Sequence, residues 1–249
     1  STLLNLGNVH TLLRNDYKAL EYLNKGEILA KTLDSQFLTA KALSYKASLF
    51  GSIMSWDSAK VYYKKSIDHY KEINNKKSLC YALQDLGRIY LKTNEMKDAY
   101  TYLNDALELT KKNNFNDNLQ IIYSYLGIYH SMLNNDSLAI DYLKKSVEFI
   151  EEYRLNLESQ TQQINYLEKR IDSYRRLIKL LIFNKNYKDA FKYMEKLKAR
   201  TLLDLLEGGG IDFTQVVSKN DIVKEKQMSK RLEEINKLVS KYSDYEDDY

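Results

Sequence analysis

The chain of 249 residues has no proline, one cysteine, three histidines, one tryptophan and eight glycines. Proline is ordinarily about 5% of a sequence, so its absence excludes collagen-like, proline-rich and most loop-heavy β architectures and lets helices run uninterrupted. A lone Cys80 excludes an intrachain disulfide framework and a four-cysteine zinc site. His10, His69 and His130 show no metal-ligand spacing, so no metal or cofactor is expected. One cysteine fits a reducing compartment, and a cytoplasmic location is the simpler reading. Long apolar runs are missing too: the longest, Leu177 to Phe183, is broken by Lys179 and falls far short of the ~20 residues of a membrane span. Charge of one sign is scarce, with 38 basic against 34 acidic residues and a net +4, too mild to argue for nucleic acid. The opening STLLNLGNVH has neither a basic n-region nor a cleavage site, and reads as the middle of something longer.

What the sequence does have is a period. Ala19, Ala59, Ala99 and Ala139 stand 40 residues apart, and Gly7, Ala47, Gly87 and Gly127 keep the same register. So do Tyr22, Tyr62, Tyr102 and Tyr142, then Leu23, Tyr63, Leu103 and Leu143, and the small residues Gly26, Ser66, Ala106 and Ser146. Within a unit the apolar spacing is helical, as in Leu83, Leu86, Ile89 and Tyr90 followed by Ala99, Tyr102, Leu103, Ala106 and Leu107. Polar stretches such as LKTNEM and MLNNDS separate the two halves, where Asn and Asp favour turns. Each unit is therefore a helical hairpin whose Gly and Ala columns let the two helices approach.

The pattern resembles the tetratricopeptide repeat, with a Leu-Gly pair, an aromatic three residues later and an Ala twelve after the Gly. Leu86-Gly87, Tyr90 and Ala99 carry it in full, and Leu126-Gly127 and Ala139 carry it with His130 at the aromatic place. The second unit departs, with Lys46-Ala47 for Leu-Gly. The family's usual unit is 34 residues, so the present one implies longer helices. A fifth unit carries Tyr174, Leu177, Ile178, Leu181, Ala190 and Met194, with Ala190 displaced by eleven residues from the 40-residue register. That insertion falls in ESQTQQINYLEKR and reads as helix extension, since it contains no Gly. The resemblance implies an all-α, right-handed superhelical array of about five hairpins over residues 1–207.

Gly208 to Gly210 then stop the helix and open a linker over 208–220. They lack the preceding strand and following Lys-Ser/Thr of a phosphate loop. Ser218 and Asp221 can cap a new amphipathic helix, 221–242, whose Met228, Leu232, Ile235, Val239 and Tyr242 form one apolar stripe. An acidic tail or linker, 243–249, follows. The run Lys196-Leu197-Lys198-Ala199-Arg200-Thr201-Leu202-Leu203-Asp204-Leu205-Leu206 resembles the segment joining tetratricopeptide repeats to the CHAT domain, a caspase-like cysteine peptidase family. That likeness implies the non-catalytic front of a larger peptidase, binding an activator or inhibitor protein, in one version an RNA-guided CRISPR effector. A rival is the peptide-sensing region of a transcription regulator or signalling kinase.

No catalytic constellation is evident. Cys80 lies in SLCYAL with no elbow glycines and reads as a packed residue, and His10 and His130 fall in the aromatic column. The tyrosine columns read as inter-repeat packing rather than base-stacking platforms. The better site is the groove lined by the first helix of each unit. There register exposes Lys41, Ser44 and Ser48, then Tyr81, Gln84, Arg88 and Lys92, then Ser124, Ile128 and Met132, then Asp172, Arg175, Lys179 and Phe183. Tyr81, Gln84, Arg88, Lys92, Arg175 and Lys179 are the expected partner contacts, giving positive spots over an apolar floor suited to an acidic or mixed peptide. The lysine and asparagine positions of a carboxylate clamp do not recur.

Overall fold

The computed structural model describes residues 1–157, 166 and 170–207. Ten helices are described: α1 (Thr2–Leu12), α2 (Asp16–Thr32), α3 (Gln36–Ser52), α4 (Trp56–Glu72), α5 (Lys76–Lys92), α6 (Met96–Lys112), α7 (Asn116–Met132), α8 (Asp136–Leu155), α9 (Ile171–Phe183) and α10 (Tyr187–Glu207). No strand occurs among the described residues. The helices pair as five hairpins, α1–α2 through α9–α10, in the expected all-α repeat array. The chain divides into two compact units, Ser1–Leu197 and Lys198–Tyr249, and of the second only the end of α10 is described. The linker at 208–220, the amphipathic helix at 221–242 and the tail at 243–249 lie outside the described residues, as does most of the ESQTQQINYLEKR insertion.

The connections are more regular than the 40-residue unit requires. Arg14, Asp34, Met54, Asn74, Asn94, Asn114 and Asn134 recur every 20 residues with φ between 48° and 61°, and Lys185 has φ 59°. Each ends a helix in the same way. The amide of Asn75 donates to the carbonyl of Tyr70 at 2.9 Å and that of Asn74 to Lys71 at 3.0 Å, the paired bonds of a Schellman stop. The residue after the left-handed one then starts the next helix: Asn75 accepts from the amide of Ser78 through its side chain, and Ser35 and Asn135 cap likewise. Asparagine tolerates left-handed φ, whereas methionine does not. Met54→Gly is therefore expected to raise stability by about 0.5–1 kcal/mol, the relieved strain less glycine's entropy cost. Asn74→Gly should leave the thermal midpoint nearly unchanged, and parallel melts of the two variants check the difference.

Across each hairpin the small column closes on the large one. A Cβ added to Gly87 would lie 2.7 Å from Leu103 Cγ, and at Gly7 and Gly127 the same contact falls on Leu23 at 2.6 Å and Leu143 at 2.7 Å. The tyrosine columns correct one expectation. Tyr22, Tyr62, Tyr102 and Tyr142 stack on His10, Phe50, Tyr90 and His130 of their own hairpin, with centroids 5.4, 5.2, 5.4 and 5.3 Å apart. They tie the two helices of one unit rather than one unit to the next. Apolar side chains pack between units as well. Ile67, Tyr70, Leu86, Ile89 and Leu126 lie in one continuous cluster, while Leu143, Ile150, Tyr174, Leu177 and Leu181 form a second with Ala190 and Tyr193.

The departure at Lys46 has a structural basis. Its side chain is 8% exposed, and Nζ pairs with Glu27 on α2, a carboxylate that also bonds Lys31 at 2.7 Å. Burial opposes the charge of Glu27, but the hydrogen bonds from Lys31 and Lys46 outweigh it and hold its pKa below the ordinary carboxylate value. The buried Leu86 and Leu126 of units three and four are thus matched here by a neutralised ion pair joining units one and two.

Candidate binding groove

The first helices, α1, α3, α5, α7 and α9, present one face to a run of three cavities. The first, about 400 Å³, lies across α1, α3 and α5 and is lined by Lys41, Tyr45, Ser48, Tyr81 and Asp85 among others. The second, about 390 Å³, lies between α7 and α9 beside Ile121, Tyr125, Asp172 and Arg176. The third, about 410 Å³, lies at the C-terminal ends of the same two helices. The lining follows an i, i+4, i+7 stripe: 41, 45, 48 on α3, then 81 and 85 on α5, then 121, 125, 128, then 172, 176, 179.

Of the six expected contacts, Tyr81 is 37% exposed and lines the first cavity, and Lys179 lines the third. Lys92 is exposed at the end of α5. Arg175 is exposed and pairs with Asp172 at 3.6 Å, but it is Arg176, one residue on, that faces the cavities. Gln84 does not reach the groove as expected. It is 5% exposed, with its Oε1 lacking a hydrogen-bond partner among the described residues. Its register position faces packed neighbours: the equivalent Ser44 meets Ser66 of its own hairpin at 2.5 Å, and Ser124 accepts from Ser173 of the next unit at 3.0 Å.

Arg88 is not the free cation that the sequence suggests. Its side chain is 27% exposed, with Nε 3.6 Å from Asp85. Burial opposes its charge, yet Asp85, Tyr125 and Tyr63 together raise its pKa above its already high value. Burial in turn pushes Tyr63 far up and Tyr125 up to about 12, with Arg88 pulling both the other way. The Tyr63 hydroxyl, although beside Arg88, makes no hydrogen bond of good geometry. Arg88 thus forms a fixed polar knot in the groove floor. Tyr45, Asp85, Tyr125 and Arg176, one register column, were missed from sequence; Ser44 and Ser124, small enough for close helix contact, were the signal that the neighbouring column is the packed one.

Residues outside the groove have structural roles. Cys80 is 1% exposed, with Sγ donating to the Ala106 carbonyl at 3.3 Å and touching the Thr110 hydroxyl. No cluster of metal-ligating side chains occurs among the described residues, and none of their helices is long and apolar enough to cross a membrane. Burial lowers the pKa of His130 from the ordinary 6.5. The unfolded chain therefore takes up a proton that the folded state resists, and stability falls as pH drops from about 6.5 through the depressed folded value. His130→Tyr, which copies Tyr90 of the preceding unit, removes this loss. Its stability advantage over wild type should grow between pH 7.5 and pH 5 in urea titrations.

The fold is that of tetratricopeptide-like repeat arrays. BtubC (BKLC) from P. vanneervenii superposes with a TM-score of 0.65 at 14% identity, over 80% of this chain and 78% of that one. The TPR-like repeats of a putative kinesin light chain from Podospora anserina give 0.58 at 15%, over 80% and 93%. A Rap protein complexed with competence and sporulation factor gives 0.56 at 14%, over 82% and 63%. No protein-family model matches the sequence, and no curated protein matches it.

Proposed function

We propose that this chain is a non-catalytic binding scaffold whose partner, a protein or peptide segment, lies along the groove of first helices. The observation that carries this reading is the recurrence of cavities on one register stripe, lined by exposed side chains such as Tyr81, Arg176 and Lys179. On the resemblance of Lys196–Leu206, the array is the regulatory front of a cytoplasmic CHAT-type cysteine peptidase, with the peptidase domain in the same full-length chain. It receives an activator or inhibitor protein, in one version a CRISPR effector. The likeness to a Rap protein complexed with competence and sporulation factor supports a second reading, the peptide-sensing part of a regulator.

The test is capture of the native partner from lysate by the immobilised chain. Arg88→Glu is a poor probe, because it sets a second carboxylate beside Asp85. Lys41→Glu, Tyr81→Ser and Lys92→Glu together are expected to lower capture at least about tenfold, with a salt-sensitive residue of binding. Undiminished capture, with loss instead on reversing the exposed outer lysines Lys65 and Lys97, would exclude the groove.

A further inference from the structure

The third cavity combines an apolar floor with two cations that lack an ion-pair partner among the described residues. Ile128, Met132, Leu143, Leu180 and Phe183 form its walls, with Arg176 and Lys179 beside them. Met132 and Phe183 are 43% and 78% exposed, so apolar surface reaches its mouth. Neither Arg176 nor Lys179 has an ion-pair partner among the described residues, whereas Arg88 and Arg175 are held by Asp85 and Asp172.

The space has an identifiable origin. At the junction of units two and three the corresponding position is Gly51, onto which Ile89 closes so tightly that a Cβ would lie 3.0 Å from its Cδ1. At the next junction it is Leu91, 6% exposed and part of the core. At the last it is Ser131, too small to fill what Leu91 fills, and the opposing Leu180 is left half-buried. The cavity also falls where the two apolar clusters meet: Ile128 packs on one, and Leu143 and Leu180 belong to or pack on the other.

We propose that this cavity is a recognition pocket for a peptide segment bearing a large apolar side chain next to a carboxylate. The proposal rests on the groove reading above and gives it a specificity. A leucine or phenylalanine side chain fits the cavity and covers Met132 and Phe183, and the adjacent carboxylate receives charge-assisted hydrogen bonds from Arg176 and Lys179. A basic segment meets like charge, and a wholly polar one leaves the apolar walls wet. The carboxylate can belong to an Asp or Glu side chain or to a chain terminus.

The experiment selects random dodecapeptides, displayed with the C-terminus either free or blocked, on the immobilised 249-residue chain. Expected is enrichment of Asp or Glu beside Leu, Ile, Phe or Met in the blocked library if the acid is a side chain, or of a terminal apolar residue in the free library alone if it is the terminus. A synthetic copy of the best peptide should lose at least about tenfold in affinity to Ser131→Leu, which fills the pocket as Leu91 does without touching a charge. It should lose as much to Arg176→Glu with Lys179→Glu, and a peptide with its acid changed to Lys should regain binding to that double variant. Melting curves establish that both variants fold. Peptides without the apolar-acidic pair, or peptides indifferent to both variants but weakened by Lys41→Glu with Tyr81→Ser, overturn the pocket and leave the groove reading standing. Enrichment of no peptide overturns both.

Discussion

Gly87→Leu should open the third hairpin and lower stability by on the order of 1–3 kcal/mol or more, read as a shift of the urea midpoint. The reason is local and rigid. An added Cβ already meets Leu103 Cγ at 2.7 Å and Cδ2 at 2.9 Å, and Leu103 is fully buried with its amide only 3.2 Å away. The leucine cannot swing out, because Ala99, Ala106 and Leu86 surround it in the same cluster. Relief must come from the helices separating, which also pulls Tyr90 off Tyr102, now stacked at 5.4 Å. Gly87→Ala should show part of the same loss. An unchanged midpoint in both variants would mean that α5 and α6 do not meet at this column.

A comparable loss is expected for Glu27→Ala. Lys46 is left with its ammonium buried and its main partner gone, a situation that costs about 3 kcal/mol even when some water reaches the group. Lys46→Leu should cost far less, since Glu27 retains Lys31 and the new leucine matches Leu86 and Leu126. The pH dependence has a definite sign. The carboxylate of Glu27 is held below its ordinary 4.5, so its contribution is present above that pH and is lost as pH falls through the folded value. Acid unfolding of wild type and Lys46→Leu should therefore converge at low pH and diverge above it. If Glu27→Ala melts with wild type, the pair is merely decorative.

The hairpins were legible because their packing needs small residues at fixed places, and Gly87, Ala99 and Ala106 cannot drift without losing contact. The pairing of Tyr22 with His10 was not, since a column says that positions are equivalent without saying which neighbour each one meets. The groove shows the same division. Adjacent positions 84 and 85 both lie within a helical stripe, and only the angle at which one hairpin settles on the next puts Gln84 inside and Asp85 outside. The eight left-handed turn residues were half visible: Asn74, Asn94, Asn114 and Asn134 announce a 20-residue spacing, but Arg14, Met54 and Lys185 hide it, because there the backbone overrides the residue's own preference. The resemblance to the CHAT junction falls on Lys196–Leu206, and the apolar stripe at 228–242 lies outside the described residues.

That uniform turn has a consequence for how such a chain can change its length. A joint that is the same inside a unit and between units gives the backbone no preferred frame, so excising residues 55–94 would join Met54 to Glu95, a stop followed by a start of the kind already used at every other joint. The chain would lose one hairpin and close without a loop to redesign, and the reverse operation would lengthen it. Number of units, and with it the span of target that can be held, is thus adjustable by whole-repeat recombination, while the eleven-residue displacement of Ala190 marks where the sequence leaves that register.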